Sequence, residues 1–201
     1  MAKIKVCVVG TGFIGPAHIE ALRRLPNVEV TALCEVNIEL AASKAAQLGI
    51  ERPCTFEQLL AMEDIVCVHV CAPNFLHHSQ SKAALLAGKH VVCEKPLAKD
   101  LHEAEELVAL AKETGLVNAV HFNLRYSLAY PAARELMSFP GGHNEGFPDT
   151  FKQLFKEVYA AVATGKQPEN PPFPSFADGY RELLICERIL ESSKKQGWVR
   201  V

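Results

Sequence analysis

Three glycines in a short run are the first residues with a chemical reading. Gly10, Gly12 and Gly15 stand in GTGFIG, directly after the apolar run KIKVCVV and directly before a helical pattern through HIEALRRL. At this spacing the first glycine permits a tight turn, the second lets a diphosphate approach the backbone, and the third lets helix and strand pack closely. The unpaired N–H groups and positive dipole end of the following helix would then face the phosphates. Glu35 ends the next strand-like run, VEVTALC, 20 residues after Gly15. A carboxylate there can accept hydrogen bonds from an adenosine ribose diol and would repel a 2′-phosphate, so NAD is favoured over NADP.

A second chemical position is Lys95 in VVCEKPLA, at the carboxyl end of a strand-like run. In an open α/β sheet that edge is where ligands sit. Its ammonium could stabilise the oxygen of a substrate hydroxyl as hydride leaves carbon. Most lysines are solvated surface residues, and the position of Lys95 sets it apart from them. Cys67, His69 and Cys71 alternate along one strand face, but such residues stand ~6.6 Å apart with parallel side chains and cannot converge on one ion. No metal is expected.

The elements that must hold these residues alternate. Strand-like and helical runs follow one another through VNAVHF, ending at residue 122, and DIVCVHVCAP is apolar at nearly every position, as for a strand covered on both faces. Asp100 with Glu103 opens a helix that Gly115 closes. The expected fold is α/β, a doubly wound parallel (Rossmann) sheet over residues 1–126, with a short, mainly helical segment over 127–201. In that segment SLAYPAARELM reads as a helix and FPGGHNEGFP as a loop. A further helix carries Phe151, Leu154, Phe155, Val158 and Val162 on one face, KQPENPPFP is an extended connector, and a last helix from Ser175 carries Leu183, Leu184, Ile189 and Leu190. These stripes need a partner, either the sheet or a second copy of the chain.

A formal charge of −2 gives no basic field for nucleic acid or anionic lipid, and no apolar run approaches the ~20 residues of a membrane span. The N-terminus enters a strand without a leader-like segment, and the seven cysteines are odd in number and lie mostly in apolar runs. Buried thiols in the cytoplasm are expected.

The chain resembles the Gfo/Idh/MocA family of NAD(P)-dependent sugar and polyol oxidoreductases, with an inositol dehydrogenase-like flavour. The resemblance is carried by GTGFIG, APNFLHH at 72 to 78, AGKHVVCEKPLA at 87 to 98, EAEELVALAKETG and HFNLRY at 121 to 126, and continues in PGGHNEGFPDTF and PSFADGYRELLICERILESS. It implies that Gly10, Gly12, Phe13, Ile14 and Gly15 line the pyrophosphate and that Glu35 holds the ribose. It implies that Pro73, Asn74 and His77 flank the nicotinamide half, with Glu94 beside them and Lys95 as the catalytic lysine. Arg125 would face a polyol or sugar substrate. His143 is a weaker substrate-side candidate, as the histidine after His121.

The resemblance also implies a second domain with an Asp-x-x-x-His motif supplying a general base. No Asp stands four residues before a histidine between 127 and 201, and that segment reads as a shortened remnant of the substrate domain. The expected function is oxidation of a sugar or cyclic polyol hydroxyl to a ketone. The alternative is an NAD-holding module with little or no turnover.

Overall fold

The structure, a computed structural model, describes residues 3–126 and 147–201. Six strands, β1 (Ile4–Val9), β2 (Val28–Cys34), β3 (Arg52–Cys54), β4 (Cys67–Val70), β5 (His90–Cys93) and β6 (Asn118–Val120), form one sheet in the order β3-β2-β1-β4-β5-β6. Every pairing is parallel. The chain steps outward from β1 to β3 and then restarts at β4 on the other side of β1. The carboxyl ends of β1 and β4 therefore flank the topological switch point, where such sheets open a crevice.

The helices are α1 (Gly15–Arg23), α2 (Ile38–Leu48), α3 (Phe56–Leu60), α4 (His77–Leu86), α5 (Leu101–Thr114), α6 (Phe147–Val162) and α7 (Phe176–Lys195). Local signals fix several ends. Asn37 accepts from Leu40 N, Thr55 and Gln58 form a capping box, and Asp100 accepts from Glu103 N. Gly49 and Gly115 close α2 and α5 in the left-handed region. Strand β3 escapes the hydrophobic pattern because it is three residues long and contains Pro53, which an edge strand tolerates.

Right-handed crossovers place α1 and α2 on one face and α3, α4 and α5 on the other. This leaves β4, β5 and β6 bare on the α1 face, and α6 covers them. Its Phe151, Leu154, Phe155, Val158 and Tyr159 share a core with Ile19 and Leu22 of α1 and with Cys67, Val92 and Ala119 of the sheet. At ~2 kcal/mol per large side chain, the gross transfer free energy is on the order of 10 kcal/mol. Phe147 and Pro148, expected at the end of a loop, instead open α6.

Helix α7 docks by its first two turns only. Phe176 is buried with Leu97 and Val120, and a Cβ on Gly179 would lie 2.8 Å from side-chain atoms of both, so only glycine permits this approach. Tyr180 and Leu183 pack beside it. Farther along α7 the stripe is not buried within the described residues: Ile189 and Leu190 are each 61% exposed. The terminal WVRV, strand-like in sequence, forms no strand. The helix expected over SLAYPAARELM and His143 lie outside the described residues. Among those described, no helix is long and apolar enough to cross a membrane.

Candidate functional site

The glycine turn leaves β1 with a geometry that assigns each glycine a separate role. Gly10 has φ +86°, and a Cβ there would stand 3.0 Å from the backbone of Ala72 and Cys71. A Cβ on Gly15 would stand 2.2 Å from Gly10 O, so the helix enters closer to the strand than any side chain allows. Around Gly12 nothing lies within 4 Å of a Cβ position. That open space is where a diphosphate can come close to backbone. No side chain caps the start of α1; Pro16 brings no N–H and Ala17 N already bonds Ile14 O, so an anion here would draw on the N–H groups of the glycine turn that precedes the helix.

Glu35 holds this turn directly. Its Oε1 accepts from Thr11 N at 2.7 Å and from Thr11 Oγ1 at 2.6 Å, tying the end of β2 to the glycine loop. Among the described residues nothing else bonds the Glu35 carboxylate, which leaves Oε2 for an external diol. A cavity of about 850 Å³, within the usual size for a cofactor site, has Glu35, Val36 and Lys44 in its lining together with the glycine turn, Pro73, Asn74, Lys95 and His121. Phe147 and Phe151 of α6 also line it. Lys44, on α2, had no sequence signal tying it to this site. Phe13 and Ile14 line the cavity, with the Phe13 ring almost wholly exposed.

Beyond β5, Lys95 is exposed and its backbone N donates to Glu94 Oε2 at 3.2 Å. His77 is buried, and its two ring nitrogens face Pro96 O at 2.6 Å and Ala72 O at 2.9 Å. This ring sits between the turn after β4 and the turn after β5. Pro73 and Asn74 are exposed at the mouth. Arg125 lies in a 3-10 turn, Asn123–Tyr126, that follows β6; its side chain and all of His143 lie outside the described set.

Beneath the cavity floor lies a polar cluster that no sequence pattern announced. Glu94 Oε1 meets His18 Nε2 at 2.8 Å and His121 Nδ1 at 2.6 Å. His18 Nδ1 lies 2.9 Å from His69 Nδ1, and His69 Nε2 lies 2.7 Å from the Tyr159 hydroxyl. All five side chains are buried, and Phe151 and Phe155 pack against the imidazoles. Burial raises the Glu94 carboxyl, but hydrogen bonds from His121 and His18 outweigh it and hold the group well below the usual carboxylate range. Burial, then the neighbouring His121, lowers His18 to about 4, and burial drives His69 well below its ordinary value. Burial pushes the Tyr159 phenol up.

An ionised Glu94 can only accept, which fixes the direction of every bond. His18 donates from Nε2, so its neutral ring accepts at Nδ1 from His69 Nδ1–H. His69 then accepts at Nε2 from the Tyr159 hydroxyl. His121 donates from Nδ1 to Glu94. His18, Glu94 and His121 bring ligand-type atoms within 4.8 Å of one another. Their 2.6–2.8 Å contacts are those of direct hydrogen bonds, with no room for an ion between them.

A parallel sheet of this order, with a glycine turn, an acid at the end of β2 and a cavity over the switch point, defines a dinucleotide-binding Rossmann domain. The family profile described as "Oxidoreductase family, NAD-binding Rossmann fold" matches residues 4–122, and the chain belongs to this Gfo/Idh/MocA family. NAD(P) is the cofactor class of the fold.

Three relatives and one solved structure illustrate the range. The 1,5-anhydro-D-fructose reductase of Ensifer adhaerens is 35% identical over 65% of this chain and 40% of its own. The levoglucosan dehydrogenase of Pseudarthrobacter phenanthrenivorans is 33% identical over 67% of this chain and 37% of its own. A solved structure of a levoglucosan dehydrogenase, in complex with NADH and levoglucosan, superposes with a TM-score of 0.57 at 34% identity, covering 61% of this chain and 37% of that one. The scyllo-inositol 2-dehydrogenase (NADP(+)) of Bacillus subtilis is 31% identical over 57% of this chain and 35% of its own. The matches thus span about two fifths of each relative's length.

Proposed function

We propose that this chain binds NAD in the 850 Å³ cavity and oxidises a sugar or cyclic polyol hydroxyl to a ketone. The observation that carries the reading is the open space at Gly12 beside a loop held by Glu35. A Cβ at Gly12 would meet nothing within 4 Å, which leaves room for a diphosphate against the backbone. Glu35 Oε2 would hold the adenosine ribose, which favours NAD; Lys44 in the same lining narrows the margin against NADP. Bound NAD supplies a hydride acceptor at its nicotinamide ring.

The chain's own residues supply the rest. Lys95, exposed at the mouth, orients and polarises the substrate oxygen, and its charge stabilises negative charge developing there. His77 positions the Pro96 turn on which Lys95 sits, and Pro73 and Asn74 border the nicotinamide half. Phe147 and Phe151 exclude water from the inner wall. Arg125 is proposed to reach substrate from the turn after β6, and His143 is the weaker substrate-side candidate. Residues 1–126 act as the cofactor-binding unit, with α6 and α7 as its helical cover.

A second reading is an NAD-holding module with little turnover. NADH fluorescence titration followed by NAD reduction with myo-inositol, glucose or levoglucosan separates the two. Saturable binding with turnover supports oxidation, binding alone supports the module, and absence of binding refutes both.

A further inference from the structure

The mechanism above uses Lys95 to hold the substrate oxygen but leaves the hydroxyl proton without an acceptor. The buried cluster offers one. Every hydrogen bond in it runs toward Glu94, and one atom stands outside the pattern. His121 Nε2 is buried and, among the described residues, has no hydrogen-bond partner. The ring lines the cavity together with Glu94, Lys95 and Asn123. A buried imidazole nitrogen without a partner forgoes its hydration, so a site that keeps one invites a ligand group to satisfy it.

We propose that His121 is the proton acceptor for the substrate hydroxyl, with Glu94 as the residue that positions it. This rests on the NAD-dependent oxidation proposed above. With Nδ1–H committed to Glu94 at 2.6 Å, the neutral ring presents its lone pair at Nε2. As the alcohol is oxidised, the O–H proton moves to Nε2 and its bonding electrons become the second C–O bond. The carbinol hydrogen leaves with its electron pair to the bound oxidised nicotinamide. The ring then carries a positive charge against the Glu94 carboxylate, and reduction of a ketone runs these transfers in reverse.

The groups facing His121 suit this role. Glu94 at the end of β5 accepts from Nδ1 and fixes the orientation of the ring. His18 on α1 is neutral, and its own Nε2–H orients the same carboxylate oxygen. His69 on β4 is neutral as well, and Phe151 and Phe155 of α6 supply an apolar wall. Tyr159, His69 and His18 form a one-way donor chain ending at Glu94, so none of these groups competes for the lone pair of His121.

The first test needs neither cofactor nor substrate. In the wild-type chain labelled at histidine nitrogens, ring nitrogen NMR at pH 8 should show His121 with a protonated Nδ1 and a bare Nε2. A protonated Nε2 overturns the proposal, because that atom then has no lone pair to accept with. The second compares His121→Asn with wild type, using NAD with myo-inositol, glucose and levoglucosan. The expected result is a fall in kcat of roughly 10²–10⁴ and loss of the acidic limb of the pH–rate profile, with the NADH Kd changed less than about threefold. Retention of the acidic limb, or a parallel loss of NADH binding, overturns it in favour of a purely structural histidine. NADH binding without turnover of any of the three alcohols by wild type also overturns the base, while leaving the cofactor reading intact.

Discussion

Gly12→Ala separates cofactor binding from folding. The structure places no atom within 4 Å of the new methyl, and Gly12 has no positive φ, so alanine is accommodated in the free chain. A phosphate oxygen hydrogen-bonded to backbone N–H there sits at ~2.9 Å and must retreat on the order of 1 Å to clear a methyl group. Losing one charge-assisted hydrogen bond costs about 1.5–3 kcal/mol, a roughly 10- to 150-fold weaker NADH Kd. Gly15→Ala is the contrast, because its methyl would stand 2.2 Å from Gly10 O and must move backbone. Overpacking of that kind costs about 1–3 kcal/mol, and thermal unfolding should fall by several degrees. The assay is NADH fluorescence titration and thermal unfolding on both variants. A Gly12→Ala chain that binds NADH as tightly as wild type, or that unfolds as early as Gly15→Ala, refutes the assignment of the open space to phosphate.

Four further outcomes follow from the same coordinates. Glu35→Ala frees Thr11 N and removes the ribose acceptor, so NADH binding should weaken by roughly 10-fold or more while NADPH loses less, read by paired titrations. Lys95→Ala should keep the NADH Kd within about threefold yet remove most turnover; full activity in that variant would contradict the role given to the lysine. Tyr159→Phe leaves His69 Nε2 without its donor, at a cost of about 1–3 kcal/mol, and should lower the unfolding temperature by roughly 2–10 °C. His18 binds its proton less readily folded, at about 4, than unfolded, near 6.5, so its contribution is present above pH 6.5 and lost as pH falls toward 4. Glu94, also lowered, adds a loss of the same sign below the ordinary carboxylate range. Urea unfolding should therefore show stability declining on the order of 3 kcal/mol between pH 7 and pH 4 from His18, and a flat profile would contradict the neutral buried ring.

Much of the fold was legible because its signals are local. The strand runs ending at Cys34, Val70 and Cys93, the caps at Asp100 and Gly115, and the glycine turn are each set by residues within a few positions of one another. The stripe of α6 was legible too, though not the surface it covers. That surface is the half of the sheet that the crossover rule leaves bare, which becomes apparent once the strand order is known. The stripe of α7 is met in part within the chain, at Phe176, Tyr180 and Leu183, because periodicity records what a helix could bury and not which neighbour covers it. The buried cluster was illegible for a different reason. His18, His69, Glu94, His121 and Tyr159 come from five elements, and each alone is only a polar residue in an apolar pattern. Strand geometry argued against Cys67, His69 and Cys71 sharing an ion; it could not show that His69 would meet rings from two helices.

NADH titration monitored by nicotinamide fluorescence tests the central claim most directly. One site per chain is expected, with a Kd on the order of 1–100 µM, competed by NAD and weakened by Gly12→Ala. No saturable signal up to about 1 mM NADH would contradict it, since a loop shaped for a diphosphate would then hold none.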